Sequence, residues 1–320
     1  MRGERGQLDV LRLDPDHPDR IRALNLIFHG DAGRYAHGGS RPRPTPPVAH
    51  LLTHVRRTDT SIDLLFGAYR RDRLVSASVA LASPGGAGLV FTSLDGAGSA
   101  ARQGIEVTLT ALCERAWATG LSLLEVLFVP EASANAPILQ RAGFRFLTRL
   151  LYLERRTDRP VPQHAGAAGL TWLPFSSDRE SLFCAALEQS YVQSLDCPGL
   201  KGLRATPAVL AGHRAVGEHD PDLWWVALRN GAPCGVLLLT RIPTMHALEI
   251  VYMGVAQPAR GTGVGDALLA RAALLARQES AKRLSLAVDR GNTPARALYA
   301  RWGFAQTGRR DAWIASPSPP

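Results

Sequence analysis

The order of apolar and polar positions along the chain runs through one succession twice. A short apolar run opens each half, at residues 10–13 and again at 170–173, and predicts a strand leading into a helical segment. A loop heavy in Pro, Gly and Arg follows at 38–47 and 198–207, then a hairpin, then a third apolar strand at 89–94 and 248–255. The spacing turns helical over 105–119 and 266–278, where Ala267, Leu268, Ala270, Leu274 and Leu275 of the second stretch keep helical periodicity. A strand, a short helix and a final strand close each half. In the second half the hairpin turn is Asn230-Gly231, and both residues tolerate the positive φ of a tight hairpin.

Matching features sit at a constant offset. Arg141-Ala142-Gly143-Phe144 faces Arg301-Trp302-Gly303-Phe304, 160 positions later, and the apolar run 123–128 faces 283–288. Strands joined first by hairpins and later by helical crossovers predict a mixed α/β fold, a partly antiparallel sheet flanked by helices, built twice. The expected division is a first domain at 1–156, a linker rich in Pro, Gly and Ala at 157–169, a second domain at 170–316, and a disordered tail at 317–320. With 46 % apolar residues, each half has enough to bury its own core.

Charge changes this picture little. The net charge is +9 and almost all of the positive side is arginine, Lys201 and Lys282 being the lysines. The arginines form no long run and no aromatic-interleaved stripe, so nucleic acid is not an expected partner. The four cysteines show no CxxC pair or zinc-ligand spacing, and no metal is expected. The first ten residues carry no apolar targeting segment and no run approaches the length of a membrane span, which makes a cytoplasmic, reduced protein the expectation.

The candidate chemistry lies between the third strand and the long helix of the second half. Gly254-Val255-Ala256-Gln257-Pro258-Ala259 runs into Arg260-Gly261-Thr262-Gly263-Val264-Gly265. Three glycines in five residues allow a tight turn and close approach to a ligand. The amides at the start of the following helix suit a phosphate or pyrophosphate. A dinucleotide fingerprint would need glycine where Asp266 stands, and the Gly-Lys-Ser/Thr of a nucleotide-binding P-loop is absent. Downstream, Asn292 is placed to cap a short helix with Pro294 near its start, and Gly303 to end it, with Leu298 and Tyr299 between.

Arg-x-x-Gly-x-Gly followed by Asn-x-x-Ala-x-x-Leu-Tyr-x-x-x-Gly-Phe at 292–304 resembles the two signatures of the GCN5-related N-acetyltransferase (GNAT) superfamily. The resemblance covers the second half and, more weakly, the first. It implies that backbone amides of Arg260, Gly261, Thr262, Gly263, Val264 and Gly265 hold the pyrophosphate of acetyl-CoA, with no metal. It implies a bulge in the strand 249–255 that opens a slot beside 283–288, and a main-chain N–H near Val255 that holds the thioester carbonyl. Tyr299 would protonate the departing thiolate, and Glu249 would serve as base toward a primary amine. Plainer roles stand beside these: Tyr299 as a core aromatic, Glu249 as a surface residue paired with an arginine, Asn292 as a cap before it is a cofactor contact, and Arg260 as a flank of the loop. Tyr252 has both a cleft-lining and a packing reading, and Cys197 and His213 lie in the region that shapes the acceptor site in this family.

In the first half the glycine pattern is replaced by residues 100–105, Tyr299 is matched by Leu139 and Glu249 by Leu89. A degenerate half with a structural role, forming one wall of the acceptor cleft, is the expectation, an organisation similar to that of mycothiol synthase. A small-molecule or peptide amine is the expected acceptor, in a monomer or homodimer. The rival expectation is a non-catalytic acyl-CoA-binding or regulatory module, which would keep the loop without needing Tyr299 or Glu249.

Overall fold

The computed structural model describes residues 8–29, 45–57, 60–93, 98–130, 135–162 and 169–317 of the 320-residue chain. Most of the expected loop at 38–47, residues 163–168 of the expected linker and residues 318–320 of the expected tail lie outside the described residues. The chain forms two units, Met1–Leu147 with Ala312–Pro320, and Thr148–Asp311.

The first unit contains β1 (Asp9–Arg12), α1 (Arg20–His29), α2 (Pro46–Arg57), β2 (Ser61–Arg70), β3 (Arg73–Ser83), β4 (Ala87–Thr92), α3 (Ser99–Ala118), β5 (Leu123–Phe128) and α4 (Ala136–Arg141), and β6 (Arg145–Arg156) begins there. Its strands lie in the order β1-β2-β3-β4-β5, antiparallel except for the parallel pair β4 and β5. One core cluster gathers Ile105, Leu109 and Leu112 of α3 with Leu124 and Val126 of β5, and the C-terminal residues Trp313 and Ala315 complete it. Helix α3 begins well before the expected residue 105, because residues 100–103 form a helical turn where the second half has its glycine loop. Gly104 brings this helix onto β3, since a Cβ there would stand 2.7 Å from Cβ of Ser76.

The second unit holds the rest of β6, then β7 (Leu170–Pro174), α5 (Glu180–Tyr191), α6 (Thr206–Arg214), β8 (Trp224–Arg229), β9 (Ala232–Ile242), β10 (Ala247–Val255), α7 (Val264–Gln278), β11 (Arg283–Asp289), α8 (Thr293–Arg301) and most of β12 (Ala305–Ala315). Its strand order is β12-β6-β11-β10-β9-β8-β7. The β8–β9 turn is Asn230-Gly231 with φ of 52° and 77°, both positive as the sequence requires. Val264, Leu268, Leu269 and Ala272 of α7 pack with Val236, Leu238 and Ile250 of the sheet and Phe183 and Leu187 of α5 in one core cluster.

The boundary differs from the expected linker for a hydrogen-bonding reason. β6 pairs antiparallel with β11 from Leu150↔Asp289 to Arg156↔Arg283, so residues 148–156 complete the sheet of the second unit. Residues beyond the strand stay attached as well: the amide of Thr157 donates to the carbonyl of Lys282, and the buried Arg155 guanidinium donates to the carbonyls of Trp302, Arg159 and Pro160.

Candidate active site

The slot arises from unequal pairing of β10. Against β11 it pairs in parallel only from Ala247↔Arg283 to Ile250↔Leu286, while β11 runs on to Asp289 alongside β6. Against β9 the register of β10 shifts between Ile250 and Tyr252, which makes Val251 the extra residue of a β-bulge. The first unit has the same parallel pairing, Ala87↔Leu123 to Val90↔Val126, but β4 runs against β3 with no register shift. In the second unit Val251–Val255 thus part from Ala287 and Val288, and a cavity of about 440 Å³ opens between them.

Strand alternation decides what β10 offers this cavity. The amide of Ala256 donates to the carbonyl of Cys234 on the β9 side at 3.0 Å. Successive residues of an extended strand turn their N–H and C=O groups to opposite edges, so those of Val255 and Met253 face the open slot. The Val255 carbonyl is indeed met from that side by Nε of Arg260 at 3.2 Å. Its N–H is left facing the cavity, where the sequence expected an oxyanion donor.

The glycine loop closes one end. Gly261 and Gly263 have φ of 77° and 85°, and Gly263 is the N-cap of α7. The first intrahelical bond runs from the amide of Ala267 to the carbonyl of Gly263 at 3.0 Å. The amides of Val264, Gly265 and Asp266 therefore have no acceptor within the helix and form its positive end. Gly265 also permits close contact with α8, because a Cβ there would stand 2.9 Å from Cδ2 of Leu298. Gly261, Gly263 and Gly265 all line the cavity, as do Arg260 and Val255, whereas Thr262 and Val264 are not among the lining residues. Thr262 sits on the exposed turn and Val264 is buried in the core.

Arg260 is used differently from a phosphate ligand. Its Nη2 donates to the carbonyls of Ser190 and Val192 at 2.9 and 2.8 Å, and Nη1 to that of Gln193 at 3.0 Å. These carbonyls belong to the C-terminal end of α5, which a cation stabilises. Arg260 thus ties the cofactor-side loop to the segment 190–193, and its own amide bonds Gln257. Gly254 makes the approach of α5 to β10 feasible: a Cβ there would lie 2.5 Å from Oγ of Ser190.

Tyr299 is 6 % exposed and lines the cavity. Its ring packs edge-on against Phe304 at 5.6 Å between centroids, and its hydroxyl makes no hydrogen bond to a described residue. Burial, with the nearby charge of Asp196 as a smaller cause, raises its pKa, so the phenol holds its proton at neutral pH. Asn292 also lines the cavity, and its Oδ1 accepts from the amide of Ala295 at 3.3 Å, as expected of an N-cap.

Glu249 lies on β10 below the bulge, opposite Thr240, and is half-buried. Burial raises its pKa. It is not among the residues lining the cavity. Two carboxylates among the described residues do line it: Asp266, held by Arg301 and Trp302, and Asp196, whose pKa burial also raises, while hydrogen bonds from the Asp289 amide and the Asn292 side chain oppose the shift. Nothing in the sequence singles out Asp196 beyond its place in the acceptor-side loop, because its partners come from β11 and the N-cap of α8. The Asp289 carboxylate accepts from the amides of Cys197 at 3.0 Å and Gly291 at 2.7 Å and from the Thr148 hydroxyl at 2.8 Å, which fixes this corner. Cys197 takes a left-handed φ of 45° there.

Tyr252 both lines the cavity and packs. Its hydroxyl lies 2.7 Å from Oγ of Ser190, and its ring meets Tyr191 and His213 at 5.9 and 5.6 Å. His213 does not line the cavity, and burial pushes its pKa down to about 4. No helix among the described residues is long and apolar enough to cross a membrane.

Residues 180–304 match the model of the acetyltransferase (GNAT) family. A mycothiol acetyltransferase from Beutenbergia cavernae is 38 % identical over 88 residues, 27 % of this chain and 29 % of that protein. One from Jonesia denitrificans is 37 % identical over 75 residues, 23 % of this chain and 24 % of that protein. The matches thus span less than a third of these relatives' length. Among solved structures, a GCN5-related N-acetyltransferase from Sphaerobacter thermophilus is similar with a TM-score of 0.62 and 16 % identity, covering 97 % of this chain and 95 % of that one. A tandem GNAT protein from the clavulanic acid biosynthesis pathway is similar with a TM-score of 0.54 and 18 % identity, covering 98 % of this chain and all of that one (100 %). At such identities the likeness is one of fold.

Proposed function

We infer, for a chain with a tandem GNAT fold and a GNAT-family domain at residues 180–304, that its second unit is an N-acetyltransferase moving an acetyl group from acetyl-CoA to a primary amine. The observation that carries this reading is the convergence on one cavity of parted strands, a glycine loop at a helix N-terminus and a protonated tyrosine. The mycothiol acetyltransferase relatives support an amine acceptor, and leave amino sugars, aminoglycosides, polyamines and peptide N-termini to be screened.

The reaction follows from the placement of these groups. The loop amides from Gly261 to Gly265 suit the pyrophosphate, and the slot beside Val251–Val255 suits the extended pantetheine arm. The amine must be neutral to attack the thioester carbonyl, so an ammonium proton passes first to a carboxylate or to water. Glu249 on β10 and Asp196 in the cavity are the two carboxylates suited to this, each made more basic by burial. As the carbonyl oxygen gains charge, the N–H of Val255 stabilises it. Collapse of the tetrahedral adduct breaks the carbon–sulfur bond, Tyr299 gives its proton to the thiolate, and the proton shed by the attacking nitrogen passes through water to restore the phenol.

Calorimetric titration of acetyl-CoA into the wild type and into a Gly263→Trp, Gly265→Trp variant tests the cofactor half, and CoA-thiol release with a panel of amines tests the chemistry. Micromolar binding lost in the variant, with thiol release for at least one amine, is expected. Binding without turnover of any amine would favour the acyl-CoA-binding module. No binding to the wild type would end both readings.

A further inference from the structure

One guanidinium beside the glycine loop has no ionic partner among the described residues. Arg229, at the end of β8, donates from Nη1 to Oγ1 of Thr262 at 2.9 Å. Thr262 spends its own hydroxyl proton on the carbonyl of Ala259 at 2.8 Å, so it serves Arg229 as an acceptor and fixes where that cation stands. The turn carrying Thr262 lies between Gly261 and Gly263, next to the amides that begin α7 without an acceptor inside the helix. Among the described residues Arg229 meets no carboxylate. The neighbouring arginines are committed: Arg260 to the carbonyls of α5, and Arg301 to Asp266, which also accepts from Nε1 of Trp302.

A cation at a helix N-terminus is repelled by the positive end of the helix. The fold thus sets two positive features side by side; Asp266, the acidic residue of the first turn of α7, is taken up by Arg301 and Trp302, and among the described residues no carboxylate reaches Arg229. Resting on the acetyl-CoA reading above, we propose that Arg229 is a side-chain ligand for a phosphate of acyl-CoA, presented over the loop by Thr262. An exposed guanidinium bonded to a phosphate is charge-assisted and planar, a geometry that lysine reproduces only in part.

The test is calorimetry of acetyl-CoA and of acetyl-3′-dephospho-CoA with the wild type, Arg229→Gln and Arg229→Lys, alongside thermal melting of each protein without ligand. Arg229→Gln is expected to weaken acetyl-CoA about tenfold, the effect of one charged hydrogen bond at an exposed site. Arg229→Lys should recover part of the loss. The unliganded glutamine variant should melt no lower than the wild type, because a repelled charge has been removed. If the 3′-phosphate is the group met, the variant loses affinity only for acetyl-CoA; if the pyrophosphate is, both ligands weaken alike, and either result supports the assignment. Unchanged affinity in Arg229→Gln overturns it, as does weaker binding accompanied by a melting point well below that of the wild type. A wild type that binds neither ligand fails at the acetyl-CoA reading itself, a result distinct from both.

Discussion

The backbone N–H of Asp289 donates to the carboxylate of Asp196 at 3.1 Å, while the Asp289 carboxylate accepts from the amide of the next residue, Cys197, at 3.0 Å. This reciprocal pair fastens the acceptor-side segment 193–197 to the end of β11 and holds a buried carboxylate in the cavity that Tyr299 lines.

The two carboxylates can be told apart by pH. Burial raises the pKa of both Asp196 and Glu249. A base acts only when ionised, so kcat/KM should fall on the acid side, with a midpoint above the usual carboxylate range. Asp196→Asn and Glu249→Gln are expected to differ: the variant lacking the base loses most activity together with the acid limb, and the other keeps the limb. If both variants keep it, neither carboxylate is the base. A carboxyl whose folded pKa is raised contributes stability below its unfolded pKa and loses it as pH rises through the folded value. Asp196→Asn should therefore melt no lower than the wild type at neutral pH, its amide oxygen still accepting from Asp289.

Tyr299→Phe keeps the buried ring and removes the proton donor. The hydroxyl has no hydrogen-bond partner among the described residues, so stability should change by no more than about 0.5 kcal/mol. Loss of general acid catalysis should lower kcat on the order of a hundredfold, with acetyl-CoA affinity unchanged. Thiol-release kinetics and calorimetry check both halves, and an unaltered kcat would return Tyr299 to the core.

Two glycine-to-alanine substitutions should fail for different reasons. At Gly254 the new Cβ would meet Oγ and Cβ of Ser190 at 2.5 and 2.6 Å, an overpacking cost of about 1–3 kcal/mol visible in melting. At Gly261 space is open but φ is 77°, and a left-handed alanine costs about 1–2 kcal/mol. That strain falls on the loop, so Gly261→Ala should weaken acetyl-CoA binding more than Gly254→Ala does.

Truncation tests the unit boundary. A chain starting at residue 165 leaves β11 without its pairing to β6 and should give aggregated or unfolded protein, as judged by circular dichroism and size exclusion. A start at Thr148 keeps that pairing. A folded, active 165–320 chain would contradict this account of the sheet.

Features that the sequence announced are the local ones. The Asn230-Gly231 turn and the Asn292 cap each depend on residues within a few positions, where conformational preference and hydrogen bonding decide the outcome, and α7, expected from residue 266, starts two residues earlier at Val264. The slot was legible only through the GNAT resemblance, and the Val251 bulge then gave it a position. What escaped depends on partners far along the chain. The direction of Arg260 is set by carbonyls of α5 about seventy positions earlier, and the place of Asp196 by an amide over ninety positions later. In the first half the helical turn at 100–103 was hidden because loss of glycines says only what is missing, not that α3 extends to fill the space.

Trp313 sits in the core of the first unit, its ring edge-on to Phe146 at 5.6 Å, and Ala315 lies in the same cluster. On the ribosome these residues are made only after the whole of the second unit. The first unit therefore cannot seal its core until residues 313–315 have left the exit tunnel, behind the second unit. Vectorial synthesis, which ordinarily lets the first domain fold before the second, gives it no head start here. A chain stopped just before Ala312 would lose part of the first unit's core while keeping all of the second unit.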